Sequence, residues 1–288
     1  MKKALKFKYT FLSIFLWLFV SISNAQETNS YSPKPANKTY PQFAYLKNGK
    51  SEFAKPLREI ENKAFKVGEK LEYRIRYGPI MAGNSRLSIP GAVLYNGHPA
   101  YKIVSEAWSN SFFSRLYKVQ DRVESITDAR GIFSWHFKKR LREGSFKQDI
   151  EIKYDQVNHL TFVEKDTLQV TPFVLDVLAS MYYVRTLDIA PGDTILIDHQ
   201  DNRKLYPLKI VVHSREKVKI KAGKFNCLVV EPFLREPGLF KQRGSLVIHM
   251  TDDHRKIPVK MTSHIYVSKF NLGAVVVELE KMEGVVEE

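Results

Sequence analysis

The sequence contains very little cysteine, since Cys227 is the single one in 288 residues. One thiol cannot form a disulfide within the chain, and it is too few for a structural zinc site. The chain also lacks a Gly-x-Ser-x-Gly elbow, a His-Glu-x-x-His motif, a phosphate-binding glycine loop and a dinucleotide fingerprint. These absences exclude a disulfide framework and count against enzymes with a local motif. We predict no metal and no cofactor, although a hydrolase assembled from distant strands would leave no such trace.

Long hydrophobic runs are confined to the N-terminus. An uncharged run from Tyr9 to Ile22 follows Lys2, Lys3, Lys6 and Lys8, and precedes the small residues of Ser23-Asn24-Ala25. The run is shorter than the roughly 20 apolar residues that cross a bilayer. The pattern therefore predicts a cleavable secretory signal over residues 1–25, with the cut after Ala25. We expect no transmembrane span in the mature protein.

Acidic residues are fewer than basic ones: the sequence has 31 Asp and Glu against 45 Lys and Arg, and its net charge is +14. Such an excess favours anionic neighbours but carries no information about the fold. For an exported protein the available anions are lipid headgroups, lipopolysaccharide and acidic glycans. We therefore predict an envelope ligand and no nucleic acid.

The chain divides into a lead-in and one β domain. Residues 26–59 are polar and rich in proline, which predicts a flexible segment. From residue 60 to 288, about a dozen runs alternate between apolar and polar residues, as in Leu71-Glu72-Tyr73-Arg74-Ile75. This pattern is typical of a mainly β protein, either a strongly curved antiparallel sheet or an incomplete β-barrel.

One segment of the β domain has the spacing of a helix. Leu175, Leu178, Ala179, Tyr182 and Tyr183 recur at intervals of three and four residues. Asp176 is placed to cap the first turn, and Pro191-Gly192 follows as a stop. The spacing predicts a helix over residues 174–187, packed against the sheet.

Aromatic side chains on strands suggest a concave face. Large rings at inward strand positions usually fill a core, but they also line the hollow of small barrels that hold one apolar ligand. Both interpretations remain open from the sequence. The residues assigned to a ligand-binding concave face are Tyr73, Tyr77, Trp135, Phe137 and Tyr182.

The densest polar cluster lies at a predicted hairpin turn and comprises His249, Asp252, Asp253, His254 and Arg255. Two carboxylates and two imidazoles in so short a stretch could share a proton or serve a hydrolase. The alternative is a solvated turn, where Asp bonds to nearby backbone amides.

Two basic stretches have a similar pair of explanations. The lysines at 217, 219, 221 and 224 and the cluster at 138–142 could each bind a polyanion. Charged residues at a strand edge also prevent aggregation between sheets.

Four segments together resemble an exported bacterial family called domain of unknown function 3108. They are Phe65–Gly83 (FKVGEKLEYRIRYGPIMAG), Asp176–Thr186 (DVLASMYYVRT), Ala222–Pro232 (AGKFNCLVVEP) and Gly244–Val259 (GSLVIHMTDDHRKIPV). The resemblance implies a mainly β protein in the periplasm or envelope of Gram-negative bacteria. It implies no catalytic residue.

The leading hypothesis is a periplasmic, non-catalytic protein that binds or carries an amphiphilic or anionic envelope ligand, either a lipid or a glycan. The first alternative is an envelope hydrolase or glycan-modifying enzyme that uses the 249–255 cluster. The second is a scaffold partner of an envelope complex. The sequence alone does not choose among these three functions.

Overall fold

The computed structural model describes residues 54–234, 244–267 and 270–287. The predicted signal segment at 1–25 and most of the lead-in at 26–59 lie outside these residues. The part of the lead-in that is described has no helix or strand, and it lies against the β domain. The Ala54 amide donates to Gly97 O at 2.8 Å, and the Arg58 Nη2 donates to Gly131 O at 2.6 Å.

Fourteen strands in the described residues form one antiparallel sheet. Each strand pairs with the next one in sequence, except that the eighth does not pair with the ninth, and these two strands are the edges of the sheet. The first strand also pairs with the last. The strands are β1 (Lys70–Tyr77), β2 (Ile80–Tyr95), β3 (His98–Ser109), β4 (Gln120–Asp128), β5 (Ser134–Glu143), β6 (Phe146–Asp155), β7 (Leu160–Val163), β8 (Asp166–Gln169), β9 (Thr194–Asp201), β10 (Lys204–Ile220), β11 (Gly223–Leu234), β12 (Gly244–Thr251), β13 (Pro258–Val267) and β14 (Phe270–Glu283).

The prediction of a curved, incompletely closed antiparallel sheet is confirmed. Alternation of the side chains is the physical reason: in β1, Leu71, Tyr73 and Ile75 are buried while the residues between them are partly exposed. Two stretches are not single continuous strands. The stretch from Leu160 to Val170 contains the hairpin of β7 and β8, and a short helix, α1 (Ser111–Ser114), lies between β3 and β4.

The two edges of the sheet are joined by side chains rather than by backbone pairing. Gln200 on β9 donates from Nε2 to the Thr161 hydroxyl on β7 at 3.0 Å. Lys139 on β5 donates to Asp201 on β9 at 2.8 Å, and both side chains are nearly buried. The sheet therefore curls until its ends meet, without a continuous hydrogen-bond ladder.

The second helix, α2 (Val177–Thr186), occupies the concave side near the junction of the edges. Its prediction is confirmed, including the cap: Asp176 accepts from the amides of Leu178 and Ala179 at 2.8 and 3.0 Å. The same carboxylate accepts from the hydroxyls of Ser125 and Ser134, each at 2.6 Å. The cap thus fixes the start of α2 to strands β4 and β5.

A fully buried ion pair fixes the other end of α2. The Arg185 guanidinium donates to both oxygens of Glu69, at 2.6 and 2.7 Å, and neither side chain is exposed. The guanidinium also donates to the carbonyls of Arg255 and Ala64, at 3.0 and 3.2 Å. The Tyr182 hydroxyl donates to Glu69 at 3.1 Å. Arg185 therefore links α2 to the start of β1 and to the β12–β13 turn.

We predict that Arg185→Met lowers the free energy of unfolding by about 3–5 kcal/mol, because it leaves the Glu69 carboxylate buried without a counter-ion. Replacing both partners, Glu69→Leu with Arg185→Met, should cost less than the single change. The matched control is Arg74→Met, which removes the partly exposed pair with Glu280 and should cost about 0–1 kcal/mol. Urea unfolding of the variants checks this order, and equal losses for Arg185 and Arg74 would contradict it.

Candidate functional site

The residues assigned from the sequence to a concave ligand face are mainly packing residues. Tyr73, Phe137 and Tyr182 are buried in the core, and Tyr77 is half-buried. Trp135 lies where the β4–β5 register shifts, and its ring packs against Tyr95 and His98 near the β2–β3 turn. None of the five lines the groove described next.

An apolar groove lies on the concave side, between α2 and strands β10, β11 and β12. Its exposed lining atoms are all apolar. The space between its walls is about 420 Å³ including the part open to solvent, and about 30 Å³ of it is wide enough for a water molecule. The lining residues are Ser180, Met181, Val184, Leu208, Ile210, Val230, Pro232, Ile248 and Met250.

Strand alternation and helix spacing produce the groove. In β10, Leu208 and Ile210 point inward while Lys209 and Val211, next to them, are partly exposed. On α2, Ser180 and Val184 are four residues apart and share one face of the helix. The alternation in β10 was visible in the sequence, but which strands face α2 was not.

The polar groups near the groove are turned away from it. The Ser180 hydroxyl hydrogen-bonds the Nδ1 of His199 at 3.1 Å. Burial, reinforced by the nearby Lys139 charge, lowers the pKa of His199 to about 3, so its imidazole is neutral at physiological pH. Ser180 therefore contributes no exposed polar atom to the lining, and its partner is too weak a base to activate a nucleophile at neutral pH.

The polar cluster at 249–255 does not converge on one point. Asp253 accepts from the Thr251 hydroxyl at 2.8 Å and from the amide and guanidinium of Arg255 at 2.9 and 2.6 Å, so it holds the β12–β13 turn. Asp252 pairs with Arg215, and His249 contacts Glu216 at 3.2 Å, while His254 is exposed. In the ranges that the structure describes, no three His, Cys, Asp or Glu side chains are grouped to hold a metal ion.

The two basic stretches differ in their surroundings. Lys217, Lys219 and Lys224 are exposed along the β10–β11 hairpin, and Lys221 pairs with Glu280. In the second stretch, Lys138 is exposed but Lys139 points into the core toward Asp201. Only alternate members of that stretch can therefore meet a ligand from outside.

Two buried carboxyl groups form a pair that the sequence did not reveal. Asp121 on β4 and Glu143 on β5 hydrogen-bond each other, and both are buried. Burial, and then the Asp121 carboxyl, raises the pKa of Glu143 to about 8. Burial also raises the pKa of Asp121 to about 6, although the Arg142 amide acts in the opposite direction. Glu143 therefore remains largely protonated at neutral pH.

Comparison with known proteins finds one family and several solved structures that are similar to this chain. A family model described as "Protein of unknown function (DUF3108)" matches residues 72–279. A β-barrel-like protein of the domain of unknown function DUF1849 from Brucella abortus is similar in structure, with a TM-score of 0.53 and 10% identity over 78% of this chain and 100% of that one. This similarity concerns the fold alone. No curated protein matches the chain.

Two further solved structures are less similar. A protein with a YmcC-like fold from Bacteroides fragilis, taken to be exported, has a TM-score of 0.36 and 12% identity over 78% of this chain and 99% of its own. A protein from Parabacteroides distasonis, taken to be a lipoprotein, has a TM-score of 0.34 and 9% identity over 77% of this chain and 100% of its own. Within residues 54–234, 244–267 and 270–287, every helix is too short or too polar to cross a bilayer.

We predict that the Asp121–Glu143 pair makes the protein less stable as the pH rises. Because the pKa of Glu143 is raised from 4.5 to about 8, the folded state keeps a proton that the unfolded chain loses. The bound proton contributes fully to the free energy of unfolding below about pH 4.5. This contribution is lost as the pH rises to about 8, at up to about 1.4 kcal/mol per pH unit. Glu143→Gln should flatten this decline.

Urea unfolding at about pH 5 and about pH 9 measures the effect. Glu164→Gln, at an exposed carboxylate, is the control and should leave the decline unchanged. An unchanged decline in Glu143→Gln would show that the pair does not share a proton.

Proposed function

We propose that this chain, which belongs to the DUF3108 family of proteins of unknown function, is an exported envelope protein. In this proposal it binds the apolar part of an amphiphilic ligand in the groove beside α2. The observation that carries this proposal is the lining of the groove, which exposes only apolar atoms to solvent. Binding of an apolar ligand removes this surface from water, which lowers the free energy of the system.

The dimensions of the groove limit what it can accept. About 30 Å³ is room for one or two water molecules, so the groove as it stands is a narrow slot. Met181 and Met250 stand in its walls, and unbranched methionine side chains adapt to the shape of a ligand. An acyl chain, which is thin and flexible, fits such a slot better than a rigid ring system does.

The charge of the protein bears on the polar part of the ligand. No charged residue lines the groove, so an anionic headgroup would lie outside it. The net charge is still +10 without the four lysines of the predicted signal, and it favours an anion at that position through the field of the whole protein. We therefore propose an anionic amphiphile, lipid or glycan-linked, rather than a neutral one.

The periplasm is the proposed location. The support is the N-terminal pattern of lysines, a short apolar run and small residues before Gln26, which is typical of a cleaved signal. N-terminal sequencing of the protein from a Gram-negative host should start at Gln26. A chain that retains Met1 would contradict this part of the proposal.

The hydrolase alternative has no specific observation in its favour. Asp253 is engaged in holding its turn, and Asp252 and His249 have partners on other strands. A general acid and base must both reach one substrate atom. The contacts of the 249–255 cluster offer no such common point.

We predict that Ile210→Phe weakens binding of an anionic acyl-chain dye, the fluorescent fatty acid cis-parinaric acid, by about tenfold, because the larger side chain fills the slot. The opposite change, Met181→Ala with Met250→Ala, widens the slot and should strengthen binding. Fluorescence titration measures both affinities. Native mass spectrometry of the protein purified without detergent should in addition reveal a co-purifying amphiphile.

Val211→Phe is the matched control, since this neighbour on β10 does not line the groove. It adds the same ring to the same strand and should leave dye binding unchanged. Thermal unfolding identifies any variant that loses its fold. Equal dye affinity in Ile210→Phe and Val211→Phe would refute the groove as the binding site.

A further inference from the structure

Four of the eight large apolar side chains that are exposed in the described residues lie at one end of the sheet, which we call the α1 end. It carries the β1–β2 turn, the β3–β4 connection with α1, and the β5–β6 turn. Phe112 and Leu116 are 63% and 77% exposed, and Ile80 and Phe146 are 49% and 39% exposed. We refer to these four residues as the apolar rim. Single exposed apolar residues are common on proteins, but a cluster of them marks an interaction site.

The rim is a single surface because hydrogen bonds join its three turns. Asn110 donates from its amide to Ala82 O at 3.0 Å and from Nδ2 to Met81 O at 2.6 Å, which ties the α1 connection to the β1–β2 turn. The Gly144 amide donates to Lys118 O at 2.8 Å, which ties it to the β5–β6 turn. The apolar side chains are therefore held in place relative to one another.

The exposed charged residues beside the rim residues in these three turns are basic. Arg115, Lys118 and Lys147 are exposed in the same three turns, and none has an ion-pair partner among the described residues. The acid in these turns is Glu143, which is buried against Asp121. Its raised pKa leaves it mostly uncharged at neutral pH, and the Asp121 carboxyl that shares its proton is also buried. The α1 end thus combines the apolar rim with basic side chains that have no acidic partner among the described residues.

We propose that the apolar rim docks the protein onto an anionic phospholipid bilayer, with Phe112 and Leu116 entering the interface and the cations beside them facing the headgroups. Apolar and basic side chains together are what an interfacial membrane site requires. A second copy of this chain is a poorer fit, because face-to-face pairing would bring the same cations together. The rim is formed by β1–β6 and their turns, and the groove by β10–β12 and α2, so the two proposals stand on different residues.

The test is co-sedimentation with vesicles of about three parts phosphatidylcholine to one part phosphatidylglycerol, using the full chain at low salt. Phe112→Ser with Leu116→Ser should weaken binding about tenfold or more, since two apolar side chains no longer enter the interface. Arg115→Gln with Lys118→Gln should weaken it about fivefold for each charge removed. Raising the salt to about 0.5 M should weaken binding of the unaltered protein.

The matched control is Leu94→Ser with Val157→Ser, at the opposite end of the sheet, where the two residues are 43% and 63% exposed. This variant should bind vesicles as the unaltered protein does. Intact mass must show the same N-terminus in every variant, so that residues 1–25 cause no difference. Binding of the dye to the groove should be unchanged by the rim substitutions, which separates the two proposals.

Three results would overturn the proposal. The unaltered protein could fail to sediment with anionic vesicles, or the control variant could lose as much binding as the rim variant. Alternatively, sedimentation velocity without lipid could show a dimer that Phe112→Ser with Leu116→Ser dissociates. That last result would assign the rim to contact between copies of this chain instead.

Discussion

The buried ion pair between Glu69 and Arg185 is the constraint on which the position of α2 depends. Burying two charges is expensive unless both are paired and their remaining hydrogen-bonding positions are occupied. Here the guanidinium contacts the carboxylate and two backbone carbonyls, and the rings of Phe65 and Tyr182 lie 5.3 and 4.9 Å from it. Burial alone would lower the pKa of Arg185, but the Glu69 carboxylate raises it above its usual value. The pair is charged and fixed in one geometry.

The groove follows from this constraint. One of its walls is α2, whose start is held by Asp176 and whose end is held by Arg185. The opposite wall is the concave face of β10, β11 and β12. The narrow apolar space lies between these two walls. Most of the lining residues fall in the segments by which the sequence resembles its family. They are Ser180, Met181 and Val184, then Val230 and Pro232, and then Ile248 and Met250.

The sequence predicts the elements of this fold better than their contacts. Period-two alternation identified the strands, and the spacing with Asp176 identified α2, because both signals are local. The partner of Arg185 lies 116 residues away along the chain, and no periodicity points to it. The β4–β5 register shifts at Trp135, so simple alternation does not predict which way its ring points. Four of the five residues assigned to a concave ligand face are buried in the core, because alternation identifies the inward side of a strand but not where the interior is filled.

The same limit applies to the charge of the protein. A net charge of +14 does not tell where on the surface the positive charge lies. On the outer face many basic residues pair with acidic residues of a neighbouring strand, as Arg76 does with Glu278 and Arg122 with Glu106. Cross-strand pairs of this kind cancel the field that each member would produce at a distance. Cations without an ion-pair partner among the described residues remain at the α1 end, at Arg115 and Lys147, and along the β10–β11 hairpin. An anionic surface therefore meets the positive charge at particular turns of the sheet, and at the α1 end those turns also present apolar side chains.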